Sequence, residues 1–449
     1  MATKYDRRDF LKLGSAVGAG LVLGGISASG CQQLRGKPPE IKAAPIDTVR
    51  IGFVGVGNQG SAHVRNFLNI EGIEIGAVCD VVEEKVARIQ GWVQEAGQAK
   101  PTGYCRGETD FKRMCETEEL DLVFNATPWN WHVPVCVAAM KTGKHAATEV
   151  PAAVTIDECW QLVETSEKTH RHCVMMENCC YDRTELMILN MVRKGLLGEL
   201  LHAEGGYLHD LRWHKFASRY YKGMWRIVHS IKRNGNLYPT HGLGPVAQCM
   251  NINRGDRFDY IVSVSSKSMG LNLYAAEKFG PDSSQAKQKY ALGDVNTSLI
   301  RTVKGRTIIL KHDCSTPRPY SRDIVVQGTK GIVRKYPEQK IHIEGRSEPH
   351  TWEPLENYAV EYGHPLWKAL VEKAEGGGHG GMDYIEDYRL IEALRTGTSP
   401  DMDVYDAASW SVVSELSERS VAKRGRSVDF PDFTRGKWKT NPPLGIIEA

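Results

Sequence analysis

The sequence has almost no excess of charge of either sign: 57 lysines and arginines face 54 aspartates and glutamates over 449 residues, a formal net of +3. With no long basic run, a nucleic-acid footprint is excluded and small molecules are the expected partners. No apolar run is suited to crossing a membrane, since Leu13 to Ile26 is too short and too rich in glycine. The eleven cysteines show no framework spacing and no C-x-x-C, which excludes the disulfide-stapled secreted class, so Cys179-Cys180 and most others read as buried thiols. H-E-x-x-H is missing too, and His209, Asp210 and His214 make no comparable ligand set, so no metal is expected.

What is present begins at the N-terminus. "DRRDFLKLGSAVGAGLVLGGISASGC" carries twin arginines, Arg7 and Arg8, then Phe10, Leu11 and Lys12 ahead of a modest apolar run. It resembles a twin-arginine (Tat) export signal over residues 1–31, with Asp6 where Ser or Thr is usual. "SASGC" is a loose lipoprotein-processing site that would leave Cys31 as the lipidated first residue. The expectation is an exported protein, periplasmic or at the cell surface. Its partner is the Tat machinery, and it meets the membrane only if Cys31 is lipidated. That route carries folded proteins, so a bound nucleotide can travel inside.

After a linker at 32–47, residues 48–180 read as a dinucleotide-binding domain. "TVRIGFVGVGNQGSAHVRNFLN" is strand, turn and helix, with Gly55, Gly57 and Gly60 fitting G-x-G-x-x-G. A second apolar strand ends at Asp80, 20 residues after Gly60, where a carboxylate can accept from ribose hydroxyls and so favours NAD over NADP. A helix at about 82–96, the strand "DLVFNATP", a helix at about 133–142, the strand "HAATEVP", a helix from about 156 and "HCVMMEN" continue the alternation. The fold class is α/β, a Rossmann doubly wound parallel sheet. Ligands of such sheets bind beyond the carboxyl ends of the strands, where Trp129, Asn130, Trp131, His132, Glu149 and Asn178 fall.

Residues 181–449 change pattern, to one helix and then long alternating segments such as "NTSLIRTVKGRTIILKHD", expected to form a large open, mostly antiparallel sheet of an α+β domain. Helical patterns return at about 365–375, 384–397 and 404–423. An exposed sheet face makes a homo-oligomer the expected assembly.

This order of parts resembles the Gfo/Idh/MocA family of NAD(P)-dependent sugar oxidoreductases. Members usually carry E-K-P after the fifth strand, where this chain has Glu149, Val150 and Pro151. A valine cannot shuttle a proton, so ordinary dehydrogenase chemistry lacks its lysine. "TPWNWHVP", "EVP", "MMENCCY", "NLYPTHGLGP" and "HGGMDY" are instead similar to glycoside hydrolase family 109, α-N-acetylgalactosaminidases that use NAD without net redox change. The resemblance implies NAD contacts at Asn58, Gln59, Gly60, Asp80, Trp129 to His132, Glu149, Val150 and Asn178. It implies substrate contacts at Tyr207, Arg226, Tyr238, Pro239, Thr240, His241 and Tyr320. The implied chemistry is oxidation at C3 of a terminal α-linked N-acetylgalactosamine, elimination of the C1 group, addition of water and reduction, with retention.

Proton transfer in such a sequence calls for an imidazole or phenols beside the sugar, and "YPTH" supplies both. His241 is the leading acid or base, Tyr238 its partner or a clamp, Tyr207 a second donor or clamp, and Arg226 a donor to hydroxyls or the acetamido carbonyl. Each has a plainer reading: Tyr207 as sheet packing, Tyr320 as a turn residue, the two tryptophans as core, and His379 in a flexible glycine loop instead of near the nicotinamide. The rival functions are a sugar oxidoreductase, an NAD-assisted glycosidase for another sugar, and a sensor that keeps NAD structurally.

Overall fold

The computed structural model describes residues 41–446. The twin-arginine segment and Cys31 lie outside the described residues.

The first half builds a parallel sheet from β1 (Val49–Val54), β2 (Ile73–Cys79), β3 (Thr102–Tyr104), β4 (Leu122–Asn125), β5 (His145–Thr148) and β6 (Cys173–Met175). Their order is β3-β2-β1-β4-β5-β6. The apolar runs β1, "VRIGFV", and β4, "LVFN", are buried almost throughout because helices cover both sheet faces. Phe53, Phe67 and Phe124 pack ring to ring at 5.4 to 5.6 Å where the helix Asn58–Phe67 lies on the sheet.

The second half forms a sheet from β7 (Leu200–Leu208), β8 (Phe258–Ser265), β9 (Asn296–Thr302), β10 (Thr307–Asp313), β11 (Val325–Gly328), β12 (Gly331–Arg334), β13 (Lys340–Ile343), β14 (Glu353–Pro354) and β15 (Val428–Asp429). The order is β14-β13-β12-β11-β7-β10-β9-β8-β15, antiparallel except for β7 beside β10. Strict alternation in β9 sends Asn296, Ser298, Ile300 and Thr302 inward and leaves Leu299 on an exposed face.

The C-terminal helices return to the first half. Met382–Thr396 packs on the glycine-turn helix, where Asn66 Nδ2 donates to Asp387 at 3.0 Å. The helix Val404–Ser411 ends where Ser411 Oγ accepts from the Ala152 amide at 3.0 Å. One continuous hydrophobic core therefore runs through both halves. Among the described residues ten cysteines are free thiols, Cys105 half-buried and the rest buried, and no helix is long and apolar enough to cross a membrane.

Candidate active site

Backbone geometry at the glycine turn is set by close approach. Gly55 has φ +82°, and a Cβ there would sit 2.9 Å from the Ala126 carbonyl group; a Cβ on Gly60 would sit 2.0 Å from Gly55 O. Around Gly57 the space is open, the nearest atom to an added Cβ being Lys85 Nζ at 3.6 Å. The helix that follows has no side-chain cap, so its leading amides are free to meet a phosphate. Asp80 closes the far side, accepting from the Val56 amide at 3.0 Å and the Val82 amide at 2.9 Å. These features fit a dinucleotide with its pyrophosphate over Gly57.

Deeper along the same helix, His63 is buried with a carboxylate on each ring nitrogen. Nδ1 meets Asp387 at 2.8 Å and Nε2 meets Glu149 at 2.9 Å. Burial alone would push the imidazole pKa down, but the charges and hydrogen bonds of Asp387 and Glu149 hold it well above its ordinary value. Beside this pair Gln59 donates to Asp383 at 3.2 Å and Asn178 donates to it at 2.7 Å. His379 Nδ1 meets the same carboxylate at 2.7 Å, which raises the histidine's pKa. His379 thus sits in a tethered turn rather than a loose loop.

The stretch from Trp129 to His132 divides. Trp129 is buried, its ring stacked on Tyr238 at 5.7 Å and edge-on to Trp225 at 5.2 Å, so it packs with the second half of the chain. Trp131 turns toward Phe111 at 6.0 Å, and Asn130 is exposed. The resemblance implies an NAD contact at His132, and the polar edge of its ring is already engaged. Its Nδ1 and Nε2 both face backbone oxygens, of Pro151 and Thr127, each at 2.8 Å, and burial lowers its pKa. His132 fixes the loop after β5 from behind. Val150 is buried there, with Glu149 Oε2 accepting from its amide at 3.2 Å.

On the other side of the cleft, "YPTHGLGP" enters the helix Thr240–Cys249 and lies directly on β7. Two glycines allow it: a Cβ on Gly242 would be 2.1 Å from Gly206 N, and one on Gly205 would be 2.3 Å from Gly242 O. A Cβ on Gly244 would be 3.0 Å from Glu177 Cγ. This contact brings His241 to Tyr207, ring centroids 5.3 Å apart, to Tyr238 at 4.9 Å, and to Glu177. Pro239 and Thr240, the latter fully buried, shape the entry to the helix rather than line an open pocket.

Glu177 is fully buried and accepts from His241 Nδ1 at 2.6 Å and from the Cys179 amide at 3.2 Å. Burial pushes its pKa up, but the charge and hydrogen bond of His241 outweigh that and hold the carboxyl below its ordinary value. With Nδ1 given to Glu177, Nε2 of His241 is the basic nitrogen. Cys179 Sγ lies within 4.8 Å of ligand atoms on both residues, but they already bond to each other.

Tyr207 and Tyr238 are buried phenols 4.5 Å apart, and burial raises both pKa values well above the ordinary one, so both are neutral donors. The Tyr207 hydroxyl pairs with His209 Nδ1 at 3.0 Å. Burial and the neighbouring His214 and Arg226 depress His209 to about 4, so it accepts that phenol proton as a neutral ring. Arg226 lies over Tyr238 at 4.7 Å and Trp129 at 5.1 Å and donates to Tyr221 Oη at 2.9 Å. Tyr320, partly exposed, stands at the rim 6.3 Å from Tyr207.

Glu177, His63, Asp383, Asp387 and His209 belong to this site and were not assigned to it by sequence reasoning. For Glu177 a signal existed, since it immediately precedes Asn178 at the carboxyl end of β6. The acids of Met382–Thr396 come from 200 residues further on and carry no local mark.

A Rossmann half that opens on a dinucleotide-binding turn, joined to an open sheet that presents imidazole, phenols and guanidinium, defines an NAD-binding protein of oxidoreductase fold. Residues 49–177 match the NAD-binding Rossmann oxidoreductase family, and 181–440 match the C-terminal domain of glycosyl hydrolase 109. A glycosyl hydrolase family 109 protein of Shewanella sp. W3-18-1 is 48% identical over 456 residues, covering 99% of each chain. A Shewanella oneidensis relative named alpha-N-acetylgalactosaminidase is 47% identical over 455 residues, again 99% of each. The fold is also that of a levoglucosan dehydrogenase solved with NADH and levoglucosan (TM-score 0.66, 20% identity, 86% of this chain and 100% of that one). A Klebsiella pneumoniae NAD-binding oxidoreductase is similar too (TM-score 0.67, 15% identity, 85% and 99%). The chain belongs to glycosyl hydrolase family 109, a glycosidase family built on an NAD-binding oxidoreductase fold.

Proposed function

We propose that this chain releases terminal α-linked N-acetylgalactosamine, the activity in the name of the Shewanella oneidensis relative. The proposed route is oxidation at C3, elimination at C1, addition of water and reduction, with retention and no net redox change. The observation that carries it is the His241–Glu177 pair at 2.6 Å beside two buried phenols, with valine where the oxidoreductase pattern has its proton-shuttling lysine.

Bound NAD would supply reversible two-electron oxidation of a ring carbinol, whose hydroxyl proton passes to water and returns on reduction; this chain binds, orients and moves protons. The residues that would hold it are the glycine turn, Asp80, Glu149 and Asn178. Glu177 keeps His241 in one tautomer, so Nε2 takes the acidified proton from C2 of the sugar and later returns one. Tyr207 turns its hydroxyl from His209 to the departing oxygen at C1, gives it the proton and regains one from the water that adds there. Arg226 donates to the sugar's hydroxyls or acetamido carbonyl. We further propose that the twin-arginine segment exports the loaded protein, and that the sheet face bearing Leu299 and Val264 is where two copies meet.

The test is release of 4-nitrophenol from its α-N-acetylgalactosaminide by purified protein in heavy water without added NAD. Deuterium at C2 of the product supports the route. Release without deuterium points to direct displacement or to a C2 proton that His241 returns shielded from solvent. Free sugar with accumulating NADH, or no release even with NAD added, favours the oxidoreductase reading.

A further inference from the structure

The pocket at His241 is closed on its inner side, but its aromatic lining continues outward. The His209 ring that backs Tyr207 lies 6.2 Å from His214 and 5.0 Å from Tyr320. His214 in turn lies 4.6 Å from Tyr220 and 5.0 Å from Trp213. Along this series exposure rises from 7% at Tyr207 to 41% at Tyr220 and 57% at Trp213. A tryptophan mostly in water, touching a second exposed ring at the mouth of a reaction pocket, marks a binding surface.

A glycosidase has to accommodate what lies on both sides of the bond it breaks. With the terminal sugar against Tyr207, Tyr238 and Trp129, all three buried, the group that leaves has only the open rim. We propose that Trp213, with Tyr220 and His214, is a platform for the leaving-group sugar of a glycan substrate. This rests on the glycosidase reading of the site. A pyranose carries hydroxyls around its edge and C–H groups on its faces, so it gains by covering an indole while its hydroxyls stay wet.

The platform is held in place. Arg212, one residue before Trp213, is locked to Asp210 by paired hydrogen bonds of 2.9 and 2.8 Å. The Tyr220 carbonyl accepts from the Asn58 side chain at 3.5 Å. Its ring packs on Tyr221 at 4.8 Å, whose hydroxyl accepts from Arg226. The rim is thereby tied to the substrate arginine on one side and to the glycine turn on the other.

The experiment compares full-length wild type, W213A and W213F on two substrates that share a terminal sugar: a methyl α-glycoside and an oligosaccharide. W213A is expected to lower the ratio of kcat/KM for the oligosaccharide over that for the methyl glycoside about tenfold, mainly through KM, and W213F to restore most of it. Equal losses on both substrates, an unchanged ratio, or no rescue by W213F overturn the platform. If wild type spares the N-acetylgalactosaminides and cleaves the matched pair of another sugar, the proposed sugar fails while the ratio for that pair still decides the platform. If no pair is turned over, calorimetric binding of the oligosaccharide and the methyl glycoside to the same three proteins gives the ratio.

Discussion

His63, on the cofactor side of the cleft, has a carboxylate on each ring nitrogen and is 1% exposed. His241, on the sugar side, has one carboxylate, on Nδ1, and a ring partly open to the pocket. An imidazole bonded to acids through both nitrogens must keep both protons, so it acts as a fixed cation. An imidazole oriented through one nitrogen keeps the other for chemistry. The same kind of residue pair thus holds a carboxylate in place on one side and, on the proposed route, moves a proton on the other.

The comparison breaks most sharply at His241. H241Q is expected to lower kcat by about 10²- to 10⁴-fold while NAD stays bound, because only the proton transfer is lost. E177Q keeps the ring but not its tautomer, and its loss should be smaller. It should also change acid stability. The Glu177 pKa is lowered on folding, so its contribution is present above the unfolded carboxyl value and is lost as pH falls through the lower folded one. E177Q should flatten that acid limb in unfolding measurements. Loss of bound NAD in H241Q, or an E177Q enzyme as active as wild type, would contradict the assignment.

On the cofactor side D387N is expected to destabilise by about 3 kcal/mol, because it leaves a buried imidazolium short of one carboxylate. The pH dependence has the opposite sign. The His63 pKa is raised, so its stabilisation is fully present below the unfolded imidazole value of about 6.5 and fades as pH rises through the folded one. Thermal midpoints should fall on the alkaline side for wild type and do so less steeply for D387N. Equal slopes would sink the fixed-cation reading.

The parts of this comparison differ in how far the sequence shows them. The glycine turn, β1, β2 and Asp80 lie within one stretch of some 30 residues, and apolar runs ended by Gly-x-Gly have few other readings. β9 announces itself by strict alternation. His241 and Tyr207 are marked only by wording shared with the family, since nothing local separates a histidine that moves protons after Pro-Thr from an ordinary loop residue. The partners of the His132 ring, Pro151 O and Thr127 O, are backbone atoms that leave no trace in side-chain identity. Asp387 was invisible for a different reason, because the return of Met382–Thr396 to the glycine-turn helix is a product of tertiary packing.

The gentlest way to separate the two sides is to move the sugar side without altering any titrating group. In G242A the added Cβ would stand 2.1 Å from Gly206 N, which is backbone and cannot swing away, so the helix Thr240–Cys249 must lift from β7. Overpacking of this kind is expected to cost about 1 to 3 kcal/mol in stability. His241 would then part from Tyr207, while His63, Glu149 and Asp387 keep their contacts. The expected result is a lowered kcat, an NAD affinity close to that of wild type, and an alkaline stability limb of unchanged slope. A G242A protein that sheds NAD as readily as it loses turnover would mean that the two histidines answer to one rigid unit rather than to two separately built sides.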